Sequence, residues 1–321
     1  MSHHIRTLLV GAGPMAISYA HVLRDLQIPF HVSGRGPESA ARFAEQTSVT
    51  PKTGGLDAYL KSHPEPETAI VATGVENLFA STRDLLEAGV RRVLVEKPGS
   101  LALSELHELI QLADDRQAEV LIAYNRRYYA SVARAREIIE EDGGLRAVYF
   151  EFTEWSHVVG PLSKAPGVKE HWFLANSTHV VDLFLALAGR PREWGAFRAG
   201  GSSWHPSATR FVGAGVTERD ILFSYVADWE APGRWGLELL TSKTRIFLRP
   251  MEEIAVQKLG SVAISPVELD DQTDKTYKPG LLRQVKAFLA GDDTLACTLQ
   301  DQAANFIAYN RMAGYAGAEF D

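Results

Sequence analysis

The sequence predicts an α/β protein of two domains, because a strict alternation of strand and helix patterns is followed by a strand-rich second half. In the first part, short apolar runs such as "TLLV", "TAIVAT" and "EVLIAY" alternate with amphipathic helical patterns. This alternation is typical of a parallel sheet covered by helices on both faces. We therefore expect a first α/β domain over residues 1–124.

The pattern changes after about residue 125. One more helix is expected at "YASVARAREIIEED", and longer runs with strand character follow, among them "LRAVYFEFTEW", "ERDILFSYVADW" and "GRWGLELLTS". Consecutive strands of this kind are typical of hairpins in an antiparallel sheet. Helical patterns return at "WFLANSTHVVDLFLALAG", "LLRQVKAFLAG" and "LQDQAANFIAYNRMAG". Residues 125–321 are therefore predicted to form an α+β domain.

Composition narrows the class of partner. The chain has 321 residues, of which 45% are hydrophobic and 23% charged, enough for two domains with apolar cores. Its net charge of -7 argues against nucleic acid or an anionic membrane surface, since both attract basic proteins. A small molecule is the expected partner.

Targeting signals and cysteine content favour a cytoplasmic location. The start, "MSHHIRTLLVGAG", has too short an apolar run for a signal peptide, and no later segment approaches the roughly 20 apolar residues of a membrane span. Cys297 is the only cysteine, so the chain cannot form an internal disulfide.

A glycine pattern follows the first predicted strand. In "LLVGAGPMA", Gly11, Gly13 and Ala16 fit G-x-G-x-x-G/A at a strand-to-helix turn. Gly11 would permit the tight turn, Gly13 would let the backbone approach a pyrophosphate, and Ala16 would allow close helix packing. Pro14 and Met15, which open the helix, would border the same phosphates. An ordinary glycine turn is the alternative, but the position at the start of a βαβ unit favours a dinucleotide site.

The end of the second predicted strand points to the choice of dinucleotide. NAD-binding domains usually have Asp or Glu there, whereas this chain has Ser33, Gly34 and Arg35, and the first acid is Glu38. Arg35 could pair with a 2′-phosphate, which favours NADP, although NAD remains possible. The alternative is that Arg35 is a solvated loop residue.

A charged pair follows the strand "RVLV". Glu96 and Lys97 precede Pro98 at the carboxyl end of this strand, where ligands bind in doubly wound sheets. Thr73, at the end of the preceding strand, would line the same crevice. A lysine there can exchange a proton with a carbinol oxygen while hydride moves. Glu96 would hold Lys97 or face away, and a simple surface ion pair is the alternative.

Four segments together resemble the glucose-fructose oxidoreductase and inositol dehydrogenase (Gfo/Idh/MocA) family. They are "LLVGAGPMA", "VLVEKPGS" with the Glu-Lys-Pro signature, "IAYNRRYY", and "STHVVDLFLALAG" with a His-x-x-Asp-Leu pattern. The resemblance implies an N-terminal Rossmann domain, a second domain with a large, mostly antiparallel open sheet used for dimerisation, NAD or NADP as cofactor, and hydride transfer at a sugar or cyclitol. It also implies a cis Lys97-Pro98 peptide.

The resemblance assigns roles to two residues. Lys97 matches the family's catalytic lysine and His179 its active-site histidine, while a buried structural histidine is the alternative for His179. Many members have an aspartate four positions before that histidine, where this chain has Ala175. Asn176 is the nearest polar replacement, so an acid that would tune the site or bind a substrate hydroxyl is missing.

Further substrate-binding candidates flank these positions. Arg126 and Tyr128 follow the fifth β-strand pattern of the first domain, and Trp172 lies in a loop rich in aromatic and basic residues that could form a lid. The alternative is that the tryptophans of this loop fill the core and its lysines are solvated. His157 and His171 lack the spaced partners of a metal site, so no metal is expected.

The sequence therefore predicts an NADP(H)-preferring oxidoreductase acting on a hydroxyl or keto group of a sugar-like substrate, with both ligands between the domains. Two alternatives are a glycosidase that uses bound NAD for transient oxidation and a cofactor-binding regulator without turnover. The strand-rich half has more apolar strand surface than its helices can cover, which predicts a homodimer or tetramer.

Overall fold

The computed structural model describes residues 7–63 and 65–315, and within them the chain divides into two compact units. The first contains residues 7–124 together with Leu281–Ala303, and the second contains Asn125–Gly280 and residues 304–315. The outer ends of the two predicted domains, residues 1–6 and 316–321, lie outside the described residues, as does Pro64.

Parallel strands form most of the sheet of the first unit. They are β1 (Thr7–Val10), β2 (Phe30–Ser33), β3 (Thr68–Val71), β4 (Arg92–Glu96) and β5 (Glu119–Ala123), in the order β5-β4-β3-β1-β2. The connecting helices are α1 (Pro14–Asp25), α2 (Pro37–Thr47), α3 (Gly55–Ser62), α4 (Leu78–Glu87) and α5 (Leu103–Arg116). All four residues of β1 are buried, as expected for a strand covered on both faces. Because the strands are parallel, the loops after β1, β3 and β4 lie at one edge of the sheet.

An eight-stranded sheet forms the second unit. Its strands are β6 (Ala147–Glu151), β7 (Pro191–Ala199), β8 (Arg210–Thr217), β9 (Leu222–Asp228), β10 (Gly236–Leu240), β11 (Thr244–Leu248), β12 (Ala255–Lys258) and β13 (Ile264–Pro266). Its helices are α6 (Ala130–Glu141), α7 (Ser156–Val159), α8 (Thr178–Ala188) and α9 (Gln272–Thr276). The order is β13-β12-β11-β10-β6-β9-β8-β7, and only the β6–β9 pair is parallel among these strands. The predicted fold class, a Rossmann domain followed by a mostly antiparallel α+β domain, is confirmed.

The two faces of this second sheet differ. One face packs against α6 and α8 through an aromatic core in which the Phe150 and Phe184 rings are 4.7 Å apart. The opposite face carries large apolar side chains on β7, β8 and β9: Phe197 is 69% exposed, Val212 50% and Leu222 61%. This exposed face is the surface through which the sequence predicts assembly.

The chain returns to the first sheet near its C-terminal end, through α10 (Leu281–Ala290), β14 (Cys297–Thr298) and α11 (Leu299–Ala313). β14 pairs antiparallel with β5, and α10 packs against α1. Arg92 fixes this return, since its guanidinium donates to the Phe288 carbonyl at 2.9 Å and to Asp293 at 2.6 Å. The second domain predicted over 125–321 therefore lacks Leu281–Ala303 in the structure, because strand pairing and this ion pair attach that segment to the first unit.

Candidate active site

The glycine loop between β1 and α1 lies against the end of β3. Gly11 has a φ of 121°, and a Cβ there would come within 2.4 Å of the Ala72 carbonyl oxygen, so only glycine fits. Its N–H donates to the Ser33 carbonyl at 2.8 Å. A Cβ on Gly13 would meet nothing within 4 Å, whereas Ala16 is fully buried. The N-terminus of α1 therefore faces open space of the kind a pyrophosphate needs, and these residues fit a dinucleotide.

The end of β2 carries two exposed cations. Gly34 donates its N–H to the Lys52 carbonyl at 2.9 Å, and the Lys52 N–H donates to the Val32 carbonyl at 2.7 Å, so the Lys52 backbone runs beside the strand end. The Arg35 and Lys52 side chains are exposed. Within the described residues the buried Ser33 Oγ has no hydrogen-bond partner. Sequence reasoning missed Lys52, since its pairing with β2 is a long-range contact without a motif.

Glu96 and Lys97 end β4 as predicted from the sequence. The Tyr19 hydroxyl on α1 donates to Glu96 Oε1 at 2.9 Å, and burial followed by the Glu96 charge raises the pKa of Tyr19 well above its usual value. Lys97 is half-buried, and the Lys97-Pro98 peptide is cis. Gln302 donates to the Pro98 carbonyl at 3.0 Å. Hydrogen bonds from Tyr19 of α1 and Gln302 of α11 thus fix the Glu96-Lys97-Pro98 turn.

Thr73 and Lys97 occupy equivalent positions on neighbouring strands. Val71 of β3 pairs with Val95 of β4, and each of the two polar residues follows its paired valine by two positions. A Cβ on Gly11 would lie 3.4 Å from the Thr73 backbone nitrogen. The glycine loop, Thr73 and Lys97 therefore share one edge of the first sheet.

In the second unit, a π-helical turn (Phe173–Ser177) leads into α8 and carries two predicted site residues. Asn176 lies in this turn, and His179 is the second residue of α8. His179 is 8% exposed, and its ring centre lies 5.9 Å from that of Trp235. The structure therefore brings His179 beside an aromatic ring that sequence reasoning did not single out.

Glu154 is a buried carboxylate that sequence reasoning missed. It is 2% exposed and accepts hydrogen bonds from Asn176 Nδ2 at 3.0 and 3.1 Å and from the Ser177 hydroxyl at 2.7 Å. Arg234 lies 3.9 Å away. Burial raises the pKa of Glu154, and the Ser177 hydrogen bond, the Arg234 charge and the Asn176 hydrogen bond oppose that rise.

The structure places an acid, Glu154, beside the turn in which Ala175 stands where many family members have an aspartate. Ala175 is 5% exposed and lies in the same turn as Asn176, and the Glu154 carboxylate reaches Asn176 from the segment after β6. A sequence signal existed, because the run "YFEFTEW" places two acids, Glu151 and Glu154, among mostly apolar and aromatic residues. A buried carboxylate of this kind either has a hydrogen-bond or ion-pair partner or takes part in function.

Four side chains near Glu154 alternate as cation and aromatic ring, and we call them the ladder: Arg126, Trp235, Arg234 and Trp155. The Arg126 guanidinium lies 4.7 Å from the Trp235 ring centre, and Arg234 lies 4.6 Å from the same ring and 4.8 Å from Trp155. The Trp155 indole N–H donates to the Gly233 carbonyl at 2.9 Å. These stacks hold two guanidinium groups close to one another.

A buried ion pair attaches the start of the second unit to α8. Arg127 donates to both carboxylate oxygens of Asp182, at 2.8 and 2.6 Å, and their side chains are 8% and 0% exposed. Asn125 donates to the Pro279 carbonyl at 2.9 Å. Because Arg126 lies between these two anchored residues, its backbone position is fixed.

Tyr128 and Trp172, the other predicted substrate-binding residues, are largely buried, each 8% exposed. Trp172 packs edge-to-face on Trp204 with ring centres 6.3 Å apart. In the same loop, Lys169 donates to the Gly160 carbonyl at 2.9 Å. This part of the loop is thus tied to the second unit by core and backbone contacts. Trp172 also interacts with Glu154, so it joins Arg126, Asn176 and His179 in the cluster around Glu154 and Trp235.

The ranges 7–63 and 65–315 contain no group of three or more His, Cys, Asp or Glu side chains able to hold a metal ion. Over the same ranges, no helix combines the length and the apolar character needed to cross a membrane.

Comparisons with known proteins bear on the fold and on the first unit. Residues 5–124 match the family model described as an oxidoreductase family with an NAD-binding Rossmann fold. The uncharacterized oxidoreductase YhhX of Escherichia coli K12 is 29% identical over 140 residues, which cover 43% of this chain and 40% of the relative. Trans-1,2-dihydrobenzene-1,2-diol dehydrogenase of Bos taurus is 28% identical over 174 residues, covering 49% and 51%. The chain thus spans about half the length of the curated relatives it matches.

Among solved structures, levoglucosan dehydrogenase in complex with NADH and levoglucosan superposes with a TM-score of 0.76 at 16% identity, over 97% of this chain and 96% of the other. This likeness shows the fold of both units. The glycine loop and the parallel sheet define an NAD(P)-binding Rossmann protein. The match to the Gfo/Idh/MocA oxidoreductase family model covers residues 5–124, which form most of the first unit.

Proposed function

We propose that this chain is a cytoplasmic, NADP(H)-preferring oxidoreductase that transfers hydride between the nicotinamide and a carbinol or keto group of a sugar, sugar derivative or cyclitol-like substrate. The observation that carries the proposal is Lys97, which directly follows a central parallel strand at the sheet edge shared with the glycine loop. The names of the bovine diol dehydrogenase and of levoglucosan dehydrogenase support a hydroxyl-bearing substrate.

Lys97 and His179 handle the proton in this proposal. Bound NADP(H) supplies the group that accepts or donates hydride. When the carbinol C–H bond breaks with its electron pair, the Lys97 amine takes the hydroxyl proton and the C=O bond forms; in the reverse direction the Lys97 ammonium returns that proton. His179, in the second unit, would hydrogen-bond to the substrate, and Asn176, which donates to Glu154, would bind one of its hydroxyls.

The residues proposed to bind the cofactor all lie in the first unit. Gly11, Gly13, Pro14 and Met15 surround the pyrophosphate, and Thr73, Glu96 and Lys97 border the nicotinamide side. Arg35 and Lys52 lie beside the end of β2 with Ser33. Their side chains would hold the 2′-phosphate of bound NADP(H). Two cations at this position favour NADP(H) over NAD(H), because the additional phosphate is recognised by charge-assisted hydrogen bonds.

The proposal is tested by incubating the purified protein with NADP⁺ or NAD⁺ and a panel of sugars, sugar derivatives and cyclitols, and with NADPH or NADH and the matching keto compounds. Both the absorbance of the reduced cofactor and the products are followed. A substrate-dependent change in absorbance with a matching oxidised or reduced product is expected. Product formed by hydrolysis without a change in absorbance would instead identify a glycosidase, and cofactor binding without turnover on the panel would favour the regulator.

Assembly through the second sheet is part of the same proposal. The exposed apolar side chains of β7, β8 and β9, with Phe197 at 69%, would be covered in a homodimer or tetramer. Light scattering at micromolar concentration should give a mass of two or four chains. A stable monomer would contradict this part of the proposal.

A further inference from the structure

The ladder presents an arginine whose charge has no ion-pair partner. Arg126 is half-buried and stacked on Trp235, and its one side-chain hydrogen bond is to Asn125 Oδ1 at 3.5 Å, the limit of such a bond. In the part of the chain that the structure describes, no carboxylate forms an ion pair with it. Burial, and to a lesser extent the charge of Arg234, lowers the pKa of Arg126, so nearby acids only partly compensate its positive charge.

Arg234, the second cation of the ladder, is arranged differently. Its side chain is about half exposed, and it lies 3.9 Å from the Glu154 carboxylate. Two indole rings cover its faces, those of Trp155 and Trp235. A guanidinium stacked in this way can donate only from its edges, which restricts the direction of its hydrogen bonds. Arg234 is therefore partly neutralised, whereas Arg126 is the less compensated charge.

We propose that the ladder binds a carboxylate of the substrate, with Arg126 as the main contact and Arg234 as a second donor, so that the substrate class is a sugar acid or related hydroxy acid. The inference rests on the proposed function, because it assigns a ligand group to the substrate site of the same oxidoreductase. A carboxylate matches the planar fork of an arginine and supplies the missing counter-charge.

The charges around Arg126 favour a ligand group with one negative charge over a group with two. Besides Arg126 and Arg234, the carboxylates of Glu154 and Glu252 are near enough to stabilise the charged form of Arg126. A monoanionic carboxylate adds less repulsion with these two acids than a dianionic phosphate would. The counter-charge that Arg126 lacks is therefore better supplied by a carboxylate than by a phosphate.

The ladder also lies beside the reacting end of the site. The His179 and Arg126 side chains flank the same Trp235 ring, at 5.9 and 4.7 Å from its centre. A hexose acid with its reacting hydroxyl at His179 would place its carboxylate near Arg126, because both side chains contact the Trp235 ring. Arg126 thus determines specificity without taking part in the proton transfer.

The experiment compares three versions of each sugar skeleton: the neutral hexose, its uronic acid and its 6-phosphate, in the gluco, galacto and manno series. kcat/KM is measured with NADP⁺ for the full-length wild type, for Arg126→Gln and for Arg311→Gln. Arg311 is the matched control, because its guanidinium stacks 4.6 Å from the Trp194 ring, on α11 and outside the ladder. Equilibrium binding of the same compounds to the protein saturated with NADPH is measured in parallel by calorimetry.

The wild type should prefer the acid over the neutral sugar by about tenfold or more, the value expected of a charge-assisted contact. Arg126→Gln should bring this ratio close to one, while Arg311→Gln keeps it. Equal use or equal binding of acid and neutral sugar by the wild type, a preference for the phosphate, or an unchanged ratio in Arg126→Gln would overturn the inference. If no compound is turned over, the calorimetric ratios still decide the inference. Failure of the proposed oxidoreductase function is recognised separately, by cofactor binding without turnover on the whole panel or by the lack of NADPH binding.

Discussion

The two candidate ligand surfaces are built from different parts of the chain. In the first unit, the contacts come from backbone groups and short loops at the ends of parallel strands, with a glycine that no other residue can replace at Gly11. In the second unit, they come from side chains that surround a buried carboxylate, Glu154, and an aromatic ring, Trp235. The first surface has its cations exposed, and the second has its charges largely buried or stacked.

This difference shows that the first surface suits a cofactor shared by many enzymes, whereas the second suits one specific substrate. Backbone N–H groups at a helix N-terminus recognise any pyrophosphate, so the first surface fits a cofactor shared by many enzymes. Buried side chains recognise a ligand only when every polar group finds its partner, so replacing one of them changes specificity. We therefore expect substitutions in the first unit to affect chemistry or cofactor choice, and substitutions in the second to affect substrate recognition or stability.

The largest effect is expected from Lys97→Ala. If Lys97 exchanges the substrate proton, turnover should fall by about two to four orders of magnitude, the usual contribution of general acid-base catalysis, while NADPH binding changes little. Steady-state kinetics and a fluorescence titration with NADPH measure the two quantities. Lys61→Ala is the control, because Lys61 is an exposed lysine that pairs with Asp57 at 2.8 Å. Turnover within threefold of wild type in Lys97→Ala, giving the same product, is incompatible with the assignment.

The next largest effect concerns stability of the second unit. Asp182→Ala leaves the Arg127 guanidinium buried without its carboxylate partner, which should lower the free energy of unfolding by about 3–5 kcal/mol. Urea unfolding followed by tryptophan fluorescence measures the change. Asp57→Ala removes an exposed pair and should cost about 0.5 kcal/mol or less. Equal losses for the two variants would show that the buried pair has no special structural role.

Glu154→Gln tests the side-chain network directly. The variant keeps the size of the side chain but weakens its hydrogen bonds with Asn176 and Ser177, and kcat/KM should fall by about tenfold to a hundredfold with cofactor binding unchanged. Because burial raises the pKa of Glu154 and the carboxylate form is the one that orients Asn176, wild-type activity should decline as the pH falls through that raised pKa. The Glu154→Gln variant should lack this acidic step, that is, the decline of activity at low pH.

The exposed Glu253→Gln serves as the control for Glu154→Gln. It should reproduce both the rate and the pH profile of the wild type. If Glu154→Gln lowers the rate but keeps the acidic step in the pH profile, Glu154 does not act by orienting Asn176 through its charge.

The smallest effect is expected at the end of β2. Arg35→Ala should weaken NADPH binding by about tenfold and leave NADH binding nearly unchanged, because only NADPH carries the 2′-phosphate. Lys52→Ala should act in the same direction. A stacked arginine on the adenine ring would serve both cofactors, so equal losses for NADPH and NADH in Arg35→Ala would show stacking rather than phosphate recognition.

Local sequence patterns predicted the first unit well. The alternation of strands and helices and the glycine loop are contiguous signals, and the fold class they predicted is confirmed. The sequence did not predict Lys52 as a site residue, because it reaches β2 through backbone pairing of a loop. Leu281–Ala303 was assigned to the second unit because chain order alone cannot reveal that β14 returns to pair with β5.

The second unit was predictable only in part. His179 and Asn176 lie on one segment that resembles the family, and Arg126 lies on another. The local sequence around each residue was therefore enough to predict it as a site residue. The link between them depends on Glu154 and Trp235, which come from distant segments and meet only after the sheet forms. No local periodicity encodes such a contact, although an acid within an aromatic strand run was a usable signal for Glu154.

The measurement that tests the central claim most directly is a titration of the wild-type protein with NADPH and with NADH, followed by the fluorescence of the bound cofactor. Backbone recognition by the glycine loop predicts saturable binding of both, and the cations at the end of β2 predict that NADPH binds about tenfold more tightly or better. Equal affinities would remove the preference for NADP(H). Failure of both cofactors to bind would contradict the proposal that this chain is a nicotinamide-dependent oxidoreductase.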